Sequence, residues 1–300
     1  MQKLDDLLKH VVKNVESKSN CEHSIAVAVA QDRDVLLSID EAALKGFGTA
    51  YLVGDEIEIR TIASEIEMNL EKHKIINETD KVSACEIATR LVSQGKAKSL
   101  MKGLVDTSII LKAALNKEYG LRTDSVMSHV SVFEIDNYHK LLFVTDAAIN
   151  IKPDFETKIN IIENTVKSLH NLGIEKPKVA LVCAKEKVNP KMQSTVDAYD
   201  LQSHFESRED CIVEGPIALD GAVSKEACEI KGIKSKVGGD ADVILVDNIE
   251  AGNALYKSLT YLAGCKNGGV VLGTKEPIIL TSRADSAESK LISIALGLSM

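Results

Sequence analysis

Near the C-terminus, one short string of side chains could bind an anion and handle a proton. Leu280-Thr281-Ser282-Arg283-Ala284-Asp285-Ser286-Ala287-Glu288-Ser289 carries hydroxyls, a guanidinium and two carboxylates. The apolar Ile278–Leu280 run predicts a strand that ends there, and the spacing beyond predicts an amphipathic helix from about Ser286. A helix start has unpaired N–H groups and the positive end of the helix dipole, so it favours anions. Arg283 adds a planar fork of donors suited to phosphate or to a developing oxyanion. An N-cap serine, a surface ion pair and a turn residue would explain the same residue types without chemistry. The remainder of the chain separates these readings.

Such a string needs strands and helices to place it. Short apolar runs at Ser24–Ala30, Thr49–Val53, Lys74–Ile76 and Ser99–Met101 alternate with helical spacing at 62–70, Val82–Ser93 and Ser108–Asn116. That alternation predicts a parallel sheet with helices on both faces. It breaks once, where Ser125–Ile135 and His139–Val144 flank Asp136-Asn137-Tyr138 and predict a hairpin. The pattern then resumes. A long helix is predicted over Phe155–Leu172, and helices over Met192–Phe205, Gly221–Glu229 and Ala251–Leu262. Buried strands are predicted at Val179–Cys183, Asp210–Val213, Val243–Val246 and Val270–Leu272. The fold class is therefore α/β. The expected division is one α/β domain from 1–128 plus 281–300 and a second from 129–280. Four loops after predicted strands carry small and polar residues: Lys102–Ser108, Thr145–Asn150, Gly215–Asp220 and Asp247–Asn253. Ligands of α/β sheets sit at the carboxyl ends of strands, so these loops and Ser282–Ser289 are expected to share a cleft.

The bulk properties limit the partners. Three hundred residues favour two domains, and 45% hydrophobic with 27% charged residues is ordinary for a globular enzyme. A net charge of −8 and 4% aromatics, with no Trp, speak against a nucleic-acid protein. The six cysteines are scattered without metal-ligand spacing, which predicts reduced thiols in a cytoplasmic protein. No apolar run reaches the roughly 20 residues that span a bilayer. Leucines and valines at 4, 7, 8, 11, 12 and 15 predict an amphipathic first helix and no signal peptide.

Several familiar patterns fail. Gly46-Phe47-Gly48 precedes its strand, and Tyr51 replaces the third glycine of a dinucleotide fingerprint. Gly268–Gly273 with Thr274-Lys275 has the P-loop residues in the wrong order. The seven histidines form no metal-binding pattern. No G-x-S-x-G elbow is present, and Cys183, although it follows a strand, reads as a buried structural thiol.

In this order Lys102-Gly103-Leu104-Val105-Asp106-Thr107-Ser108, Thr145-Asp146-Ala147-Ala148-Ile149-Asn150 and Gly215-Pro216-Ile217-Ala218-Leu219-Asp220 occur. They are followed by Ala241–Asp247, Ala251-Gly252-Asn253 with Tyr256-Lys257, and Ser282-Arg283. Together, from about Ala97 to the end, these strings resemble the phosphate acetyl/butyryl transferase family. The first of them, Thr281–Ser286 and the short chain are most similar to its butyryl branch. The resemblance implies acyl-CoA + phosphate ⇌ acyl phosphate + CoA, without metal, prosthetic group or acyl-enzyme. It also implies a homo-oligomer, dimer or higher, and two three-layer α/β/α domains about an interdomain cleft, like isocitrate and isopropylmalate dehydrogenases.

Residue by residue, the resemblance places the family's Ser-Arg pair on Ser282 and Arg283. The arginine would hold phosphate or CoA charge, and the serine would hydrogen-bond the reacting thiol or acyl group. Lys102, Thr107, Ser108, Lys112, Asn150, Asp220 and Asn253 are the substrate-binding candidates, with Lys112 in place of an arginine. The acetyltransferases carry an aspartate seven residues after the serine, where this chain has Ser289. Asp285 and Glu288 are the carboxylates left to act as base toward the CoA thiol. Ala147 replaces a family cysteine, and Arg90 is a candidate for a further family arginine. Acetyl transfer is the alternative within the class. Outside it stand a metal- and nicotinamide-dependent dehydrogenase using Asp220, Asp242 and Asp247, and a non-catalytic acyl-CoA-binding protein.

Overall fold

The computed structural model describes residues 1–15, 23–282 and 285–300, so Arg283 and Cys21 lie outside the described residues. The elements, numbered in chain order, begin with α1 (Leu4–Val15), β1 (Ser24–Ala28), α2 (Arg33–Leu44), β2 (Thr49–Gly54) and α3 (Glu56–Glu65). Then come β3 (Lys74–Asn77), α4 (Lys81–Ser93), β4 (Ser99–Lys102) and α5 (Thr107–Ala114). The middle of the chain forms β5 (Ser128–Glu134), β6 (Leu142–Thr145), α6 (Phe155–Asn171), β7 (Lys178–Val182) and α7 (Gln193–Phe205). The last third forms β8 (Ile212–Ile217), α8 (Leu219–Val223), α9 (Lys225–Lys231), β9 (Val243–Leu245) and α10 (Ile249–Lys257). A π-helical turn (Ser258–Leu262), β10 (Lys266–Leu272), β11 (Ile278–Ile279) and α11 (Ala287–Ser299) complete it.

The chain divides into two compact units. The first comprises Asp5–Ser125 with Gly268–Met300, and the second Met1–Leu4 with Val126–Asn267. The chain re-enters the first unit at 267/268, earlier than the expected 280/281. The reason is pairing: β11 lies parallel to β4, and β10 runs antiparallel to β11.

In the first unit the strand order is β3-β2-β1-β4-β11-β10. β1, β2, β3, β4 and β11 are mutually parallel. β1 and β4 are buried along their whole lengths, which is why they read as unbroken apolar runs rather than alternating ones. From β1 the chain winds outward through β2 to β3 and then crosses to β4 on the other side. The topological switch point, where open α/β sheets leave a crevice, therefore lies beyond the carboxyl ends of β1 and β4.

The second unit has the order β5-β6-β9-β7-β8. Its hairpin is the expected antiparallel pair, with Ser131 opposite Val144, and β6, β9, β7 and β8 are parallel. Its core gathers Phe133, Leu142, Val144, Ala180, Ile244 and Val246.

Three expectations need correction. The C-terminal helix is not amphipathic: α11 is buried continuously from Lys290 to Leu298. It packs on the sheet, where the Ser99 hydroxyl donates to the Gly297 carbonyl at 2.6 Å. The helix expected over 221–229 is two short helices, because Ser224 leaves helical geometry and caps α9 through the Ala227 N–H. Gly215-Pro216-Ile217, expected as loop, form the last part of β8.

Candidate functional site

Two of the sequence motifs, Lys102–Ser108 and the one that begins at Ser282, follow neighbouring strands of the first unit's sheet at its carboxyl edge. β4 ends at Lys102 and β11 at Ile279, and these parallel neighbours have Met101 opposite Ile279. Both strands thus deliver the residues that follow them, 103–106 and 280–282, to one edge.

Lys102 is buried, and its ammonium turns back on its own loop, 3.4 Å from the Gly103 carbonyl and 3.3 Å from that of Val105. The same loop is clamped to β1, since Gly103 N–H donates to the Ala28 carbonyl and Leu104 N–H to that of Val29. Glycine is required at 103, because a Cβ there would stand 2.1 Å from the Val29 carbonyl oxygen. α5 follows at once. Its N-cap residue Asp106 makes no side-chain hydrogen bond to the first turn. Thr107 and Ser108, the first two residues of the helix, are exposed. Backbone N–H groups with two hydroxyls beside them suit an oxyanion. Lys112 lies in the last turn, about 7.5 Å further along the axis from Thr107 at 1.5 Å per residue. The structure therefore does not bring Lys112 to the start of the helix.

On the neighbouring loop, Ser282 N–H donates to Asp285 Oδ2 at 2.7 Å, and Asp285 N–H returns a bond to the Ser282 carbonyl at 3.2 Å. This reciprocal pair fixes the Asp285 carboxylate against the Ser282 backbone. Ser286 is the N-cap of α11, as expected, and its hydroxyl accepts from Ser289 N–H. Glu288 is exposed in the first turn. The sequence reading missed Lys290. It is 2% exposed, and its ammonium bonds the Asp285 carbonyl at 2.5 Å. In sequence Lys290 follows Glu288 and Ser289 at the polar start of the helix, so no local signal marks it as buried. Arg283 lies between these anchors in sequence and outside the described residues.

In the second unit the candidates take other partners. Asn150 donates from Nδ2 to Asp146 Oδ2 at 2.6 Å and to the Met127 carbonyl at 2.8 Å. The buried Asp146 also accepts the N–H groups of Ala148, Ile149 and Asn150, so it organises the loop after β6. Asn253 is exposed on α10. Asp220 is bridged by Lys231 at 2.8 Å, which holds its carboxyl below the usual range.

The three aspartates of the dehydrogenase reading are not gathered into a metal site. Asp242 pairs with Lys140, Asp247 with Lys158 and Asp220 with Lys231. Among the described residues no three His, Cys, Asp or Glu side chains could hold a metal ion together. The five described cysteines are free thiols. Burial pushes Cys183 up to about 11, and its Sγ–H donates to the Ser194 carbonyl, as fits an inert thiol. No described helix is long and apolar enough to cross a membrane.

The structure is similar to the crystal structure of a branched-chain phosphotransacylase from Enterococcus faecalis, with a TM-score of 0.82 and 34% identity. That similarity covers 92% of this chain and 98% of the other. The fold and the strand-end loops thus define an α/β protein of the phosphotransacylase type. Residues 79–298 match the family described as Phosphate acetyl/butaryl transferase, and the chain belongs to that transferase family. It is 49% identical over 288 residues to the phosphate butyryltransferase of Clostridium acetobutylicum, covering 95% of each chain. It is 47% identical to that of Clostridium beijerinckii, over 97% of this chain and 95% of the other.

Proposed function

We propose that this chain moves a short acyl group, butyryl first, reversibly between CoA and inorganic phosphate. The observation that supports this most directly is the delivery of two loops to one sheet edge: the hydroxyl-bearing start of α5 and the Ser282–Asp285 pair. Phosphate is held by the first-turn N–H groups of α5, the Thr107 and Ser108 hydroxyls and Arg283. One phosphate oxygen attacks the thioester carbonyl, the C–S bond breaks, and the phosphate proton passes to the departing thiolate. A carboxylate relays that proton: in reverse it takes the proton from the thiol and passes it to the departing phosphate. Asp285 is assigned that task ahead of Glu288, because its carboxylate is tied to Ser282. Holding both reactants in place and directing positive charge at the oxyanion supplies the rate, without an acyl-enzyme, metal or prosthetic group.

Lys102 is assigned to shaping the phosphate loop, and Asn150, Asp220, Asn253 and Lys112 to substrate contacts. The cytoplasm is the proposed location. The dehydrogenase-like three-layer architecture belongs to the same proposal, supported by parallel strands alternating with helices in each unit.

The test is thiol release from acetyl-, propionyl-, butyryl- and isobutyryl-CoA, with and without phosphate, repeated on Arg283→Ala. Release should require phosphate, peak at butyryl and collapse in the variant. Release that ignores phosphate would sink the reading. An acetyl optimum would move the chain to the other branch, since each methylene in a fitted pocket is worth about 1–3 kcal/mol.

A homo-oligomer is also proposed. Tyr261 and Leu262, on the π-helical turn, are 62% and 86% exposed, large apolar groups suited to a second copy. Light scattering should give at least a dimer for the wild type and a smaller species for Leu262→Glu. A wild-type monomer would refute the assignment.

A further inference from the structure

At the amino edge of the first unit's sheet, opposite the edge that carries the candidate site, lies a cavity of about 270 Å³. Its lining includes Lys72, Lys74, Lys96, Ser24, Thr49 and Tyr51, and among the described residues no carboxylate lines it. Ser24, Thr49 and Lys74 are the first residues of β1, β2 and β3, so the starts of neighbouring strands meet there. Lys72, Lys74 and Lys96 are exposed, and none of them forms an ion pair with a described carboxylate. Lys45 and Lys98, in the same unit, do find partners in Glu41 and Glu276. In a chain of net charge −8, a hollow lined by positive charge alone stands apart from the surface at large. Such a hollow concentrates ions of opposite sign.

The backbone under each of these groups is fixed. Tyr51 lies opposite Lys74 across β2 and β3, and the ammonium stands 5.2 Å from the ring centroid. Ser24 lies opposite Thr49, with the two hydroxyls 2.8 Å apart. Lys96 N–H donates to the Leu91 carbonyl at the end of α4, and Lys98 N–H donates to that of Ser24 at 2.7 Å. Lys72 closes a short 3₁₀ turn, Leu70–Lys72, whose Glu71 N–H is capped by Asn69. A lysine on the free edge of a sheet guards it against pairing with another chain, and Lys74 on β3 serves that purpose alone. Lys72 and Lys96 lie off the strand, and edge protection does not account for the cavity they share with it.

From this geometry we infer that the cavity is a second ligand site, separate from the reacting centre, for a condensed phosphate chain, free or carried by a nucleotide. Ammonium groups are compact point charges with rotatable donors, so lysines arriving from separate elements suit several phosphate groups in a row. A single carboxylate would leave most of that charge unanswered. The Ser24 and Thr49 hydroxyls add hydrogen-bonding groups for phosphate oxygens. The volume lies just below the usual lower bound of about 300 Å³ for ligand pockets, which fits a small, compact ligand. Ser24 and Ala28, the two ends of β1, are about 13 Å apart at roughly 3.3 Å per residue, so the site lies away from the start of α5. The inference does not depend on the acyl-transfer reading.

The test is calorimetric titration of sodium tripolyphosphate into the whole chain at low salt, with CoA and inorganic phosphate present in excess to fill the reacting centre. Wild type should bind one tripolyphosphate per chain, with an affinity that falls steeply as salt is added. Lys72→Gln/Lys96→Gln should bind it at least about tenfold more weakly, because two charge-assisted hydrogen bonds are lost. Lys187→Gln/Lys191→Gln removes the same charge from exposed positions of the second unit and should bind as wild type does. Tripolyphosphate should raise the thermal midpoint of wild type and leave that of the Lys72/Lys96 variant where it is. ATP in place of tripolyphosphate separates the two sources: weaker or equal binding identifies the free chain, and tighter binding a nucleotide. No binding by wild type, equal affinity in the Lys72/Lys96 variant, an equal loss in the second-unit variant, or binding seen only without CoA and phosphate would each overturn the assignment. None of these outcomes bears on thiol release, which tests the functional reading by itself.

Discussion

Asp285→Asn is expected to lower kcat for butyryl transfer by about 10²–10⁴-fold, the usual worth of a positioned general base, with little change in KM for butyryl-CoA. Asparagine keeps the shape of the side chain, and its Oδ1 can still accept the Ser282 N–H, so the loop should survive the change. What it loses is the capacity to take a proton. The wild-type carboxylate is placed by three bonds around one residue: Ser282 N–H to Oδ2, Asp285 N–H to the Ser282 carbonyl, and Lys290 Nζ to the Asp285 carbonyl. Glu288 sits exposed in the first turn of α11, so Glu288→Gln should stay within about threefold of wild type, well short of the effect of losing a base. Measuring kcat for both variants in the thiol-consuming direction decides between them. The reverse ranking would transfer the base to Glu288, and two small effects would remove the carboxylate from the mechanism.

The largest expected stability effect lies in the second unit, at Lys158. This lysine of α6 is 3% exposed, and its ammonium bridges Asp197 at 2.7 Å and Asp247 at 2.6 Å. Burial alone would lower its pKa; the hydrogen bonds and charges of the two aspartates outweigh that and hold it above the ordinary 10.5. Lys158→Met keeps the length of the side chain and strands two carboxylates without their counter-ion. Breaking a buried pair from one side costs about 3–5 kcal/mol, which urea unfolding of the second unit should register. A group whose folded pKa is raised contributes its full stability below its unfolded value and loses it as pH rises through the folded one. The gap between wild type and variant should therefore hold from about pH 6 to about pH 9. A variant within about 1 kcal/mol of wild type would mean that the pair is worth no more than an exposed one.

Lys158 also shows where sequence reading stops. Periodicity finds the long helix over Phe155–Leu172 because Ile159, Ile162, Val166 and Leu169 recur on one face, and the structure ends it at Asn171. Nothing in that period says that a lysine among them meets Asp197 from α7 and Asp247 after β9, because those partners are remote in sequence. The same limit applies to Lys290, which looks like the polar face of an amphipathic helix until α11 is seen buried along most of its length. The lysines at the amino edge are harder still. In sequence Lys72, Lys74 and Lys96 are ordinary surface residues, and only the pairing of β2 with β3 and the turn after α4 bring them to one cavity. The hairpin at 125–144, by contrast, was legible because turn residues and apolar runs are local signals.

By itself, then, the sequence determined the α/β class, the positions of most strands and helices, and the family, through ordered strings of loop residues. These are properties of near neighbours along the chain, where periodicity and turn chemistry act. The tertiary structure alone decided which loops share an edge and that β10 and β11 return to the first unit. It also decided that Asp220, Asp242 and Asp247 each answer a lysine rather than one another. Such outcomes depend on strand pairing and on burial between distant segments, and side-chain order in one dimension does not encode distance in three.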